Sequence, residues 1–208
     1  MKNKIVDLFA SNTESVIDLV LSDGLLKDIP IIGNIVSVLR IGQDVSNHLF
    51  AQKLSAFLEH LRTHGQRESL DALRDQSKLE ALGTNMILVI DKSNSVDKPK
   101  WLAQAFIGLS DGMIDIDLFD RLVYSIDSFS PALKGTLLKY YHSPQAAISQ
   151  NEHFKRNPEH AEELSNQGLL RREFQLNSIN NSYSVKYAKT SLGAALAEVI
   201  RKSAEQTV

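Results

Sequence analysis

The spacing of apolar side chains changes once along this chain, and that change limits the fold more than any other feature. Up to about residue 165, apolar residues recur every three or four positions, which is the period of an amphipathic helix. Over residues 170–176 and again over 183–187, the pattern has the two-residue period of a strand. The turn-forming residues 177–181 lie between these runs and predict a β-hairpin. A final helix over 192–202 is expected, with Thr190 as its N-cap.

The part before the hairpin predicts an irregular helical bundle. The expected helices are a short one near residues 16–21, a long one over 35–62, and others over 67–75, 78–91, 99–110, 118–129, 131–141, 145–150 and 158–166. Gly65 and Gly112 are expected at turns, and Asp115 or Asp117 is expected to cap the helix that follows. The fold class is therefore mainly α: a helical bundle over residues 1–142 and a small α+β unit with one hairpin over 143–208.

Composition excludes several kinds of protein. With 23 basic and 25 acidic residues the net charge is −2, so whole-chain charge gives no reason to bind nucleic acid or anionic lipid. Residues 134–208 nevertheless carry 10 basic and 7 acidic side chains, which favours two functional halves. The chain has no cysteine, which rules out disulfides and thiolate nucleophiles and favours a reducing compartment.

Apolar content also limits any relation to a membrane. The longest uncharged apolar stretch, residues 29–39, has 11 residues, against about 20 needed to cross a bilayer. The sequence predicts no transmembrane span and a cytoplasmic location.

The hairpin region carries a family resemblance. A helix ending in Gly168-Leu169-Leu170, the hairpin, and the pattern Thr190-x-x-Gly193-x-x-Leu196 resemble the second half of a winged-helix domain, over about 50 of 208 residues. In that family a helix enters a DNA groove and the hairpin contacts the backbone, so the resemblance implies binding to double-stranded DNA. The basic residues that would carry this function are Lys155, Arg156, Arg171, Arg172, Lys186 and Lys189.

A protein partner is the alternative for the same unit. The expected recognition helix contains Glu159, Glu162 and Glu163, which repel phosphate. Docking of another protein therefore stays open beside DNA binding, as does assembly into a homo-oligomer.

Residues 25–39 form an unusually apolar connector, for which the sequence allows two interpretations. In the first, the connector packs against the helical core. In the second, it docks on a membrane surface or on a partner, and the chain is an effector or immunity-type protein that acts through Leu25, Ile29, Ile31, Ile32 and Ile35. The stretch 25–33 also resembles uncharacterised bacterial helical proteins, some encoded near phage-defence genes.

Catalytic and metal motifs are weak in this sequence. It lacks the Gly-x-Ser-x-Gly elbow and the glycine-rich phosphate loops, and the Asp-Gly turn at 111–112 has no carboxylates at the ligand positions of a calcium loop. His60 and His64 have a zinc-compatible spacing but no third ligand, and we interpret them as exposed histidines at a helix end. The sequence thus predicts a non-enzymatic regulatory or interaction protein with no cofactor and no metal.

Overall fold

The computed structural model describes residues 48–65, 78–142, 158–177 and 182–205. Its helices are α1 (His48–His64), α2 (Lys78–Lys92), α3 (Asp97–Ser110), α4 (Ile116–Ser128), α5 (Lys134–His142), α6 (Pro158–Asn166) and α7 (Ser191–Glu205), with a 3-10 turn at Pro131–Leu133. The strands are β1 (Leu170–Asn177) and β2 (Ser182–Lys189), which pair antiparallel. The predicted fold class, helices followed by a small α+β unit with one hairpin, is confirmed. The helices expected near 16–21, 67–75 and 145–150 lie outside the described residues, as does the first part of the long helix.

The chain divides into two compact units between Asp127 and Ser128. The boundary expected from sequence lay at residue 142 and placed α5 with the helical bundle. In the structure α5 packs against α7, so it belongs to the unit that holds the hairpin.

The first unit is built on contacts of α1 with α2 and α3. The apolar residues Leu54, Phe57, Leu58 and Leu61 of α1 are buried, as the helical period predicts, and so are the phenylalanines of α3 and α4. The rings of Phe106 and Phe119 lie 6.0 Å apart between centroids. The largest fully buried side chains of this unit are Trp101, Phe57, Phe106, Phe119, Leu54, Leu58 and Leu61.

Two buried lysines bind the ends of helices in this unit. Lys53 donates from Nζ to the carbonyl of Asp91, in the last turn of α2, and Lys98 donates to the carbonyl of Asp127 at 2.6 Å, in the last turn of α4. A cation at a helix C-terminus satisfies carbonyls that have no helical partner and opposes the negative end of the helix dipole. Burial lowers the pKa of both lysines.

Turns between the helices follow the sequence expectations. Gly112 has a φ of 68°, a left-handed conformation that favours glycine. Asp115 accepts the backbone N–H of Leu118 at 2.8 Å, so of the two candidate caps the structure selects Asp115. Within the described residues, none of the helices combines the length and the apolar character that a membrane crossing requires.

Candidate docking surface on the hairpin unit

Helix α6 is a short helix with one buried side. Ala161 and Leu164 are fully buried, whereas Glu159 and Glu163 are exposed. The helix ends in a Schellman motif, in which Leu169 N–H donates to Leu164 O at 2.9 Å and Gly168, at a φ of 72°, takes the left-handed position. This turn sets the direction in which the chain enters β1.

A hydroxyl-centred junction joins α5, the start of β1 and the start of α7. The hydroxyl of Tyr141 donates to Leu169 O at 2.6 Å and accepts the backbone N–H of Thr190 at 3.0 Å. Thr190 Oγ1 in turn accepts the N–H of Gly193 at 3.0 Å, so Thr190 is the N-cap predicted for the last helix. A Cβ at Gly193 would lie 2.2 Å from both Leu169 O and the Tyr141 hydroxyl. The close approach explains the glycine in the Thr-x-x-Gly pattern.

The base of the hairpin is fixed to α6 and α5 by polar contacts. Glu162 of α6 accepts from Arg172 Nη2 at 2.5 Å through one oxygen and from the Tyr187 hydroxyl at 2.5 Å through the other. Burial, and then the bond to Glu162, raise the pKa of Tyr187 to about 12. Lys189 Nζ donates to Tyr141 O at 3.2 Å and lies over the rings of Tyr140 and Tyr141.

Beyond this base, one side of the hairpin presents apolar side chains to solvent. The register pairs Phe174 with Val185, and the next pair on the same side contains Leu176. Phe174 is 71% exposed, Leu176 57% and Val185 44%, whereas Leu170, at the base of the same side, is 2% exposed. We call Phe174, Leu176 and Val185 the ribbon face.

The opposite side of the hairpin is charged. Arg171 binds Glu173 at 2.7 Å, and Glu173 is paired with Lys186 in the register. Arg171 and Lys186 are exposed. Since alternate residues of a strand point to opposite sides of the sheet, these two cations do not line the ribbon face.

The structure separates the residues predicted to bind nucleic acid. Arg171 and Lys186 lie on the charged side, while Arg172 and Lys189 lie on the other side and are bound to Glu162 and to the Tyr141 carbonyl. The remaining predicted site residues fall outside the described residues; they are Lys155 and Arg156 and the apolar set Leu25, Ile29, Ile31, Ile32 and Ile35.

Sequence reasoning missed the ribbon face as a site. The period-two pattern placed Leu170, Phe174 and Leu176 on one side of a strand, and such a side is normally taken to be buried. The predicted lengths gave one signal: at about 1.5 Å per helix residue and 3.3 Å per strand residue, a helix over 158–166 is only a little more than half as long as a strand over 170–176.

The two histidines of α1 differ from the expectation of an exposed pair. His60 is 6% exposed and its Nε2 lies 2.9 Å from Gln104 Oε1, so that part of the interpretation is wrong. His64 Nδ1 lies 2.9 Å from the carbonyl of His60, and the centroids of the two rings are 4.3 Å apart. Burial lowers the pKa of His60, and the positive charge of Lys100 acts in the same direction. His60 therefore joins α1 to α3, and His64 contacts His60 within α1.

Across the part of the chain that the structure describes, no group of three or more histidine, aspartate or glutamate side chains is arranged to hold a metal ion. Comparison with known proteins adds no assignment: no family model, no curated protein and no solved structure matches this chain.

Proposed function

We propose that this chain is a non-enzymatic interaction protein that binds a protein partner through the ribbon face of its C-terminal unit. The observation that carries the proposal is the exposure of Phe174 beside Val185 and Leu176. An exposed apolar cluster at the end of a rigidly held element is a common feature of protein interfaces. Its cost in water is recovered when a partner covers it.

The helix before the hairpin favours protein over DNA. In the winged-helix interpretation α6 would enter the groove, but it exposes Glu159 and Glu163, which repel phosphate. Of the cations on the hairpin, Arg172 is already neutralised by Glu162. The exposure of Arg171 and Lys186 on the charged side is the observation that favours DNA binding.

The anchoring of the hairpin supports a docking role. Glu162 binds both Arg172 of β1 and Tyr187 of β2, so the backbone that carries the next pair on that side, Phe174 and Val185, is held between anchored strands. A backbone that is already fixed loses less conformational entropy on binding than a flexible loop. Cytoplasmic location and a role in phage defence stay predictions from the sequence.

The test is capture from a lysate of the native host by the full-length chain, compared with a Phe174→Ser variant. We expect a defined protein to be retained by the wild type and lost from the variant. A Leu88→Ser variant is the matched control, because Leu88 is also an exposed apolar residue, on α2. If every captured protein is retained equally by the Phe174→Ser variant, the proposal is wrong.

A DNA titration at low salt separates the alternative. We expect no binding of double-stranded DNA. Binding that rises as salt falls, and that is weakened by Arg171→Glu and Lys186→Glu, would instead assign the charged side of the hairpin to nucleic acid.

A further inference from the structure

We infer that the partner segment on the ribbon face is a peptide with apolar anchors next to lysine or arginine. The inference rests on the proposed protein-binding function and specifies the chemistry of the partner. It draws on the ribbon face and on the acidic stripe, which we define as Glu159 and Glu163 of α6.

The ribbon face has the size of a peptide site. Its side chains expose on the order of 300 Å² together, since a whole aromatic side chain buries about 150–250 Å². A stable interface between two proteins buries about 800 Å² on each partner. The ribbon face is therefore too small to hold a second copy of this chain by itself, and it fits one or two apolar side chains of a short segment.

The acidic stripe belongs to α6, the helix that contacts β1 and whose Glu162 binds the hairpin on the side of the ribbon face. Glu159 and Glu163 are one helical turn apart, and Glu162, next to Glu163, reaches across to Arg172 and Tyr187. On that side of the hairpin, this cross-strand pair is followed by Phe174 and Val185, at a separation of about 7 Å along the strand. A segment that lies on the ribbon face and extends toward α6 therefore approaches a helix that carries three glutamates.

Of the hairpin cations, Lys189 shares the side of the ribbon face but lies at the base of the hairpin, opposite the buried Leu170, and is bound to the carbonyl of Tyr141. Arg172 is paired with Glu162, and Arg171 and Lys186 project from the other side of the sheet. Glu159 and Glu163 are exposed on α6, and their negative charge favours a basic segment. An acidic or phosphorylated segment would meet repulsion at the same place.

The experiment is selection of a random peptide library displayed on phage, with the folded full-length chain as bait. We expect enrichment of peptides that combine aliphatic or aromatic residues with lysine or arginine. Binding of synthetic copies is then measured by fluorescence anisotropy. Phe174→Ser should weaken it at least about tenfold, as expected for loss of a central anchor.

Removal of the two glutamate charges of the acidic stripe tests the expected preference for basic peptides. A Glu159→Gln, Glu163→Gln variant should weaken the selected peptides about fivefold, in line with exposed ion pairs, and should reduce the dependence of the affinity on salt. The matched control is Glu59→Gln with Asp120→Asn, which removes two exposed carboxylates from the other unit and should change nothing. Circular dichroism of each variant verifies its fold.

The outcomes separate this inference from the proposed function. Suppose that the selected peptides bind Phe174→Ser more weakly than wild type. If they lack lysine and arginine, or bind the Glu159→Gln, Glu163→Gln variant as tightly as wild type, the inference is overturned and protein docking remains. Peptides that bind Phe174→Ser and wild type equally overturn both. A library that yields no enriched peptide overturns the inference, and the lysate capture then decides the function separately.

Discussion

Helix α4 and the hairpin carry apolar side chains in equally regular patterns, yet one set is buried and the other is exposed. In α4 the apolar positions Phe119, Leu122 and Ile126 are fully buried. In the hairpin Phe174 and Leu176 are more than half exposed. The pattern in a sequence shows which residues share a side of an element. Whether that side is covered depends on the neighbouring elements.

Strand β1 contains both buried and exposed apolar residues on one side. Leu170 at the base of the hairpin is buried, and Glu162 binds the next pair on the same side, Arg172 and Tyr187. Each strand is about twice as long as α6. Phe174 and Leu176, being more than half exposed, gain less stability from folding than buried residues do, and their exposure favours another role.

The largest expected effect on stability is at a buried phenylalanine of the first unit. Phe106→Ala should lower the free energy of unfolding of the first unit by about 3–5 kcal/mol, because it leaves a cavity beside Phe119. Urea unfolding followed by fluorescence of Trp101, the one tryptophan in the sequence, reports on this unit. A loss of less than about 1 kcal/mol would contradict the packing described for this core.

The next effect concerns the junction that holds the base of the hairpin. Gly193→Ala places a methyl group 2.2 Å from Leu169 O and from the Tyr141 hydroxyl, so the helix must shift. We expect a loss of about 3 kcal/mol, measured by calorimetry, with faster hydrogen exchange in α7. Gly135→Ala is the control: a Cβ there meets nothing within 4 Å, and alanine in a helix should stabilise by about 0.5 kcal/mol. Equal effects of the two substitutions would contradict the junction.

Removal of the contact between α6 and the hairpin should have a smaller effect. Glu162→Ala deletes the acceptor of both Arg172 and Tyr187, and we expect a loss of about 1–2 kcal/mol, since these groups are partly exposed. The pKa of Tyr187, about 12 in the wild type, should fall, as read from a tyrosine absorbance titration against Tyr187→Phe. Glu163→Ala, at the exposed neighbouring position, should change neither quantity. An unchanged Tyr187 titration in Glu162→Ala would show that the contact does not form.

Acidification should act on the first unit through His60. Burial lowers the pKa of His60 in the folded state, so the unfolded chain binds the proton more tightly. The stability that neutral His60 contributes is complete above the ordinary pKa of about 6.5 and is lost as the pH falls through the lower folded value. Thermal unfolding from pH 7.5 downwards should show this decline, and His60→Gln should flatten it. His64→Gln is the control for the neighbouring ring, and an equal slope in wild type and His60→Gln would contradict the assignment.

Local sequence signals predicted the elements and several of their ends. Period and capping residues were sufficient for α2 and for Thr190 at the start of α7, and they narrowed the cap of α4 to Asp115 or Asp117, because these features depend on nearby residues. The burial of His60 could not be predicted in this way, since its partner Gln104 lies 44 positions along the chain. The pairing of Arg172 with Glu162 was missed for a related reason. Charge pattern shows that a cation is present but not which carboxylate it contacts.

The candidate site shows the same limit. A search for cations selected Arg171, Arg172, Lys186 and Lys189, and the register then divided them between two sides of the hairpin. For the apolar residues between them, the pattern predicted a hairpin and one shared side of it. Their exposure depends on which elements cover that side, which is a property of tertiary structure.

The smallest expected effect on stability comes from phenylalanine-to-alanine substitution at the exposed Phe174, the same substitution as at the buried Phe106. Phe174→Ala should alter the free energy of unfolding by no more than about 0.5 kcal/mol, because the side chain is 71% exposed and leaves little contact behind. The measurement is the one used for Gly193→Ala, since both positions belong to the hairpin unit. A neutral result for stability, together with loss of partner binding in Phe174→Ser, would show that the ribbon face serves binding. A destabilisation near that of Phe106→Ala would instead show that the ring is buried in the folded chain, and the docking surface would be withdrawn.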